Sequence, residues 1–157
     1  MNQLSEEERA EIQRAKEAEA YKDLGNKAYK DKQFEEALRH YDQAIVLNPR
    51  EMTYYTNKAA VYFEMKEYDI CIAHCDEAIK LKELGHYDYQ KLAKAWVRKA
   101  NALNKQEKFD EAIQAYDEAM LEHNDNSYKL AQKEIWKQQK KKEDADFLNP
   151  EISEVHK

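Results

Sequence analysis

A pattern of residue sizes recurs three times along this 157-residue chain, and it limits what the chain can fold into. In the first copy Gly25 and Ala37 are small, Tyr41 is aromatic and Ala44 is small again. The same positions of the pattern, here called slots, recur 34 residues later and again 41 residues after that. Because 41 exceeds 34 by seven, the third copy follows an insertion of seven residues. The later slots hold Ala59, Cys71, Cys75, Ala78, Ala100, Ala112, Tyr116 and Ala119. Such a period indicates a stack of repeated supersecondary units.

Two helices are predicted in each copy. The chain has only two Gly and two Pro, which favours long helices joined by short polar turns. Because seven residues are nearly two helical turns, the insertion can lengthen the flanking helices without rotating their buried faces. Ser5 has capping-box spacing to Glu8, so the first helix can begin near residue 6. The predicted helices are 17–31, 34–47, 51–65, 68–84, 89–105, 109–122 and 127–145.

Close helix packing explains the recurring slots. Small residues let the two helices of a copy approach each other, and aromatic residues fill the space between copies. One copy cannot bury its own apolar face, so three copies and a cap are about the minimum. The pattern resembles the tetratricopeptide repeat (TPR), which implies an all-α fold of three helix-turn-helix repeats in a right-handed superhelical solenoid with a C-terminal capping helix. The expected organisation is a charged N-terminal helical extension (1–16), three repeats within 17–126 (about 18–51, 52–85 and 93–126), the capping helix (127–145) and a linker or tail (146–157).

Composition excludes several kinds of partner. The net charge of −6 argues against nucleic acid, whose phosphates require an excess of Lys and Arg. The longest uncharged apolar run is far shorter than a membrane span, and no apolar leader is present at the N-terminus. Two Cys four residues apart provide no disulfide framework, which favours a reducing cytoplasmic setting. We therefore expect a cytoplasmic, monomeric domain with no nucleic-acid or membrane partner.

The first helix of each repeat lines the concave side of such a stack. Lys22 and Asn26 lie one turn apart on the first of these helices, Lys94 and Arg98 one turn apart on the third, and Asn57 lies between them on the second. The groove-facing positions carry five positive and three negative charges, although the chain as a whole is acidic. Cations and side-chain amides suit a ligand with two nearby carboxylates, such as a C-terminal Asp.

These five residues match the carboxylate clamp of TPR co-chaperones, which grip the EEVD tail of cytosolic heat-shock chaperones. The resemblance lies in the segments 25–27, 57–63 and 94–98. It is closest to the middle TPR domain of the Hsp organising protein (Hop, or stress-inducible Sti) family. The insertion before the third repeat and the segments 121–123 and 148–150 point the same way.

The resemblance implies a co-chaperone adaptor and not an enzyme. It implies a preference for the MEEVD terminus of the 90-kDa heat-shock chaperone over the IEEVD terminus of the 70-kDa one. It also implies contacts in the groove from Tyr29, Glu64 and Asn101, of which Glu64 could accept from a ligand N–H and Tyr29 could pack against an apolar side chain. Two alternatives stay open: a targeting domain cut from an enzyme such as a TPR phosphatase or prolyl isomerase, and a general TPR scaffold that ignores free C-termini.

A metal site is the competing interpretation of Cys71, His74 and Cys75. Zinc normally takes four nitrogen or sulfur ligands, and both Cys occupy core slots of the repeat, so core packing is favoured. The run 140–142 of three Lys is interpreted as a solvated face of the capping helix. No catalytic group, metal or cofactor is predicted.

Overall fold

The computed structural model describes residues 3–85 and 87–148, and within them the chain forms helices and no strand. Each repeat contributes two antiparallel helices, and a seventh helix follows the third repeat. The all-α, three-repeat prediction is confirmed. The elements are α1 (Glu6–Lys30), α2 (Phe34–Leu47), α3 (Met52–Glu64), α4 (Tyr68–Lys80), a 3₁₀ turn (Leu81–Leu84), α5 (Tyr89–Lys105), α6 (Phe109–Glu122) and α7 (Asn126–Leu148).

The helix bounds differ from the predicted ones at three places. First, the predicted helix 17–31 and the predicted helical extension form one continuous helix, α1, which begins at Glu6 as the capping-box spacing predicts; the Ser5 hydroxyl accepts a hydrogen bond from the Glu8 N–H at 3.1 Å. Second, α7 continues to Leu148 instead of ending at residue 145; residues 149–157 of the predicted tail lie outside the described residues. The third difference is at the insertion, which does not extend α4: that helix tightens into the 3₁₀ turn and stops at Gly85, whose φ of +88° is left-handed.

Only the second helix beside the insertion is lengthened. Asp88 caps α5, because its carboxylate accepts from the N–H groups of Gln90 and Lys91 at 2.8 and 3.0 Å. The helix has 17 residues, against 13 in α3. This added turn places Lys91 on the same face as Lys94 and Arg98, so that all three line one cleft.

Small residues allow close approach within each repeat, as the pattern predicts. A Cβ added at Gly25 would lie 2.5–3.0 Å from ring atoms of Tyr41, so this position has no room for a side chain. Cys71 and Cys75 are free thiols, fully buried beside Ala59, which agrees with the core interpretation.

The stack is closed at its C-terminal end by α7. Ile135 is buried, and Tyr128 and Ala131 pack against the core cluster formed by α5 and α6. Leu130 and Trp136 of the same helix remain exposed. None of the helices in residues 3–85 and 87–148 is long and apolar enough to cross a membrane.

Candidate peptide-binding groove

The first rim of the groove is a hydrogen-bonded link between α1 and α3. The Lys22 ammonium donates to Glu19 at 2.5 Å, and the other Glu19 oxygen accepts from the Tyr54 hydroxyl at 2.8 Å. Lys22 is half-buried at the groove edge and is paired with the exposed carboxylate of Glu19. An ammonium has three donors, so Lys22 can still bind a ligand carboxylate while it keeps Glu19.

Asn26 and Asn57 meet across the same two helices. The Asn57 amide nitrogen donates to the Asn26 carboxamide oxygen at 3.3 Å. That oxygen also accepts from the Tyr41 hydroxyl at 2.6 Å. Both asparagines are half-buried, so they form part of the groove floor.

A cleft of about 490 Å³ extends from Asn57 across α5 to the capping helix. Among the described residues, Lys94 and Arg98 form no ion pair, so their charges are available to a ligand. Lys91, at the edge of the cleft, is instead held by Glu51 at 2.6 Å. The lining residues are Thr53, Thr56, Asn57, Lys91, Lys94, Val97, Arg98, Asn101 and Tyr128.

The resemblance also implies groove contacts from Tyr29, Glu64 and Asn101, here called the secondary residues, and only one of the three lines the cleft. Asn101 lines the cleft, and its carboxamide oxygen accepts from the Tyr116 hydroxyl at 2.8 Å. Tyr29 and Glu64 are not among the residues lining this cleft, but they lie close to each other and within the field of Arg98. Burial raises the pKa of Tyr29, the Glu64 charge raises it further, and the Arg98 charge opposes both.

The structure therefore brings Asn57, Lys94, Arg98 and Asn101 into one cleft and joins Asn26 to it. Lys22 lies one helical turn from Asn26, at the rim. Five lining residues are absent from the predicted site residues: Thr53, Thr56 and Val97, and the larger side chains of Lys91 and Tyr128. Lys91 adds a cation to the cleft edge and Tyr128 adds an aromatic ring from the capping helix. Their signals were present in the sequence: Lys91 precedes Lys94 by three residues on the same helix, and Tyr128 follows Lys94 by one repeat length of 34 residues.

Outside the groove, the described residues contain a larger hollow and no cluster of potential metal ligands. A larger hollow of about 630 Å³ lies outside the groove and carries both signs of charge. No group of three or more His, Cys, Asp and Glu in residues 3–85 and 87–148 could hold a metal ion. The hollow is lined by Tyr21, Glu36, Arg39, His40, Asp42 and Gln43.

Glu19 and Glu51 make the free energy of unfolding depend on pH in the acid range. Burial alone would raise the pKa of Glu19 and of Glu51, but hydrogen bonds from Lys22 and Tyr54 to Glu19, and from Lys91 to Glu51, outweigh it and lower both values. Because the folded-state pKa lies below the ordinary 4.5, this stabilisation is complete above about pH 4.5 and is lost as the pH falls through the folded value.

We expect the urea midpoint to decrease below about pH 4.5, and to decrease less steeply in the double variant Glu19→Gln, Glu51→Gln. Urea titrations at a series of pH values from neutral to acid would measure both slopes. Identical slopes for the two proteins would contradict the assignment to these carboxylates.

The fold and groove define a class of protein. A sequence model of the tetratricopeptide repeat matches residues 18–51, and a second model of the same repeat matches residues 50–120. The helix pairs of the described residues, and the packing of a small against an aromatic residue within them, are those of a TPR domain.

Curated relatives narrow the class. The chain is 42% identical over 138 residues to stress-induced-phosphoprotein 1 of Caenorhabditis elegans, and the match covers 88% of this chain and 43% of the relative. It is 37% identical over 133 residues to the Hsp70-Hsp90 organising protein of Plasmodium falciparum, covering 85% and 24%. The chain thus spans less than half the length of these relatives.

Solved structures agree with the curated relatives. The N-terminal domain of C. elegans STI-1 superposes with a TM-score of 0.72 at 42% identity, covering 78% of this chain and 96% of that one. The TPR2AB domain of yeast Sti1, solved as a pHSP90 complex, gives 0.79 at 32% identity, covering 88% and 53%. The chain belongs to the Hop/Sti family, as the sequence predicted; its correspondence to the middle TPR domain of that family stays a prediction.

Proposed function

We propose that this domain is a co-chaperone adaptor that binds the C-terminal EEVD peptide of a heat-shock chaperone through a dicarboxylate clamp formed by Lys22, Asn26, Asn57, Lys94 and Arg98. The observation that carries the proposal is the pair of cations on α5 with no counter-ion among the described residues, opposite two hydrogen-bonded amides. The yeast Sti1 relative, solved as a pHSP90 complex, supports the same ligand class.

The geometry suits a C-terminal Asp because that residue offers two carboxylates close together. Arg98 can engage one carboxylate with two parallel N–H bonds, while Lys94 supplies a point charge beside it. Lys22 shares its charge with Glu19 and binds the second carboxylate from the opposite rim. Asn26 and Asn57 donate hydrogen bonds without adding charge.

The upstream part of the peptide meets the secondary residues. Glu64 accepts from a ligand N–H, Tyr29 packs against an apolar ligand side chain, and Asn101 donates from the lining of the cleft. An apolar contact with Tyr29 is the basis for the proposed preference for MEEVD, from the 90-kDa chaperone, over IEEVD, from the 70-kDa one, because Met is more flexible and polarisable than Ile.

Calorimetry with the two free-acid pentapeptides tests this function. Charge-assisted hydrogen bonds of about 1.5–3 kcal/mol each, less the cost of ordering the peptide, predict micromolar affinity for MEEVD, near −8 kcal/mol. IEEVD is expected to bind more weakly. A peptide of the same composition with Asp moved from the terminus is the control; binding as tight as that of MEEVD would contradict the clamp, and tighter IEEVD binding would reverse the preference.

We infer that the domain works as a monomeric adaptor in the cytoplasm, without enzymatic activity of its own. The free thiols Cys71 and Cys75 support a reducing compartment. The general-scaffold alternative predicts equal binding of free and blocked C-termini, so calorimetry with an amidated peptide separates it from the clamp.

A further inference from the structure

Two asparagines of the groove are each held by a tyrosine of the following helix. The Tyr41 hydroxyl lies 2.6 Å from the Asn26 carboxamide oxygen, and the Tyr116 hydroxyl lies 2.8 Å from the Asn101 carboxamide oxygen. The partners are 15 residues apart in both cases, so the two pairs occupy the same places in repeats one and three. Tyr41 and Tyr116 are almost completely buried and fill the space beneath the groove floor.

The bonding pattern fixes which way the Asn26 amide is turned. Its oxygen receives two donors, the Tyr41 hydroxyl and the Asn57 amide nitrogen at 3.3 Å. Turning the amide over would place its NH₂ against the Asn57 NH₂, with two donors facing each other. Burial raises the pKa of Tyr41 to about 12, so its hydroxyl keeps its proton at any ordinary pH and can donate.

The second repeat lacks this pair. Ala60 and Cys75 occupy the places of the asparagine and the tyrosine. The place equivalent to the two asparagines is therefore held by a small residue in repeat two, whereas the oxygens of both asparagines are engaged by the protein.

We propose that Tyr41 and Tyr116 are positioning residues for the ligand: each holds the oxygen of a groove asparagine on the protein side, so that both asparagines present only N–H donors to the peptide. The inference rests on the proposed function and makes it more specific. The ligand must offer acceptors at both places, a carboxylate at Asn26 and a carbonyl or carboxylate oxygen at Asn101. Neither tyrosine contacts the peptide.

The test is Tyr41→Phe, which removes one hydroxyl and keeps the buried ring. Calorimetry is expected to show about three- to tenfold weaker binding of free-acid MEEVD, the value of one hydrogen bond, with little change for the amidated peptide. In the Asn26→Ala background, Tyr41→Phe is expected to have no further effect. A general structural disturbance would instead weaken both peptides alike and act in both backgrounds.

Tyr55→Phe is the matched control, because the Tyr55 hydroxyl donates to the Pro49 carbonyl away from both asparagines. We expect Tyr55→Phe to bind free-acid MEEVD with the same affinity as the unsubstituted protein. Tyr116→Phe repeats the test at Asn101 should Tyr41→Phe fail to fold. Wild-type-like affinity of both Phe variants, or a full additional loss in the Asn26→Ala background, would overturn the positioning role.

A second measurement is independent of the peptide. The ¹⁵N relaxation of the Asn26 side-chain amide is expected to show an ordered group that becomes mobile in Tyr41→Phe. An amide that stays equally ordered would overturn the positioning role even if the peptide binds. Failure of the unsubstituted protein to bind MEEVD, with the amide ordered only when Tyr41 is present, would refute the proposed ligand and leave the positioning role supported.

Discussion

Converting the C-terminal carboxylate of the MEEVD peptide to an amide is expected to weaken its binding by about 100-fold or more. The free carboxylate takes charge-assisted hydrogen bonds, worth about 1.5–3 kcal/mol each, and an amide loses the charge of at least two of them. It also leaves a desolvated cation of the clamp unpaired, which adds to the cost. Calorimetry of free and amidated peptides under the same buffer and salt measures the ratio directly.

A substitution in the protein is expected to cause a comparable loss of affinity for the free-acid peptide. Arg98→Ala removes the bidentate donor and is expected to weaken free-acid binding by about 30- to 100-fold while changing the amidated peptide little. Lys108→Ala, which deletes an equal charge at an exposed turn between α5 and α6, serves as the control and should bind normally. Added salt should lower the affinity of the unsubstituted protein for the free-acid peptide, and it should lower the affinity of Arg98→Ala less. Equal affinity for free and amidated peptides would mean that the groove recognises an internal segment.

Helical periodicity explains why much of the groove was predictable. Once the repeat is aligned, residues at equivalent places on α1, α3 and α5 must share a face, so Asn57, Lys94 and Arg98 could be placed together without coordinates. Packing slots followed from the same alignment, because Tyr41 needs a residue without a side chain at Gly25. The bounds of α2, α5 and α6 agree with the predicted ranges, because short polar turns flank α2 and α6 and the Asp88 cap fixes the start of α5.

Contacts between helices were not predictable, since they depend on distances that periodicity does not supply. Lys22 could be placed in the groove, but its pairing with Glu19, and the link from Glu19 to Tyr54, required the separation of α1 and α3. The prediction that the insertion lengthens both flanking helices was wrong for a similar reason. Its length permits two longer helices, whereas Gly85 and the Asp88 cap end one and restart the other.

Replacing Tyr54 by Ala is expected to destabilise the domain by about 3–5 kcal/mol, the range found when a buried aromatic side chain is removed from a core. Tyr54 has no exposed surface and packs with Ala18 of α1 and Ala44 of α2. The substitution also removes the hydrogen bond that the Tyr54 hydroxyl donates to Glu19. Urea titration measures the loss, and hydrogen exchange locates it.

The loss should be concentrated in the first repeat, because units of a solenoid contact only their neighbours and Tyr54 joins repeat two to repeat one. Exchange is therefore expected to accelerate in α1 and α2 more than in α5 and α6, and MEEVD affinity to fall because α1 carries Lys22 and Asn26. Tyr54→Phe keeps the ring and removes only the hydroxyl, so it distinguishes their two contributions to stability. It should lower the free energy of unfolding by only about 0.5–1.5 kcal/mol. Equal acceleration in all three repeats would contradict this view, since it would mean that the domain unfolds only as one unit.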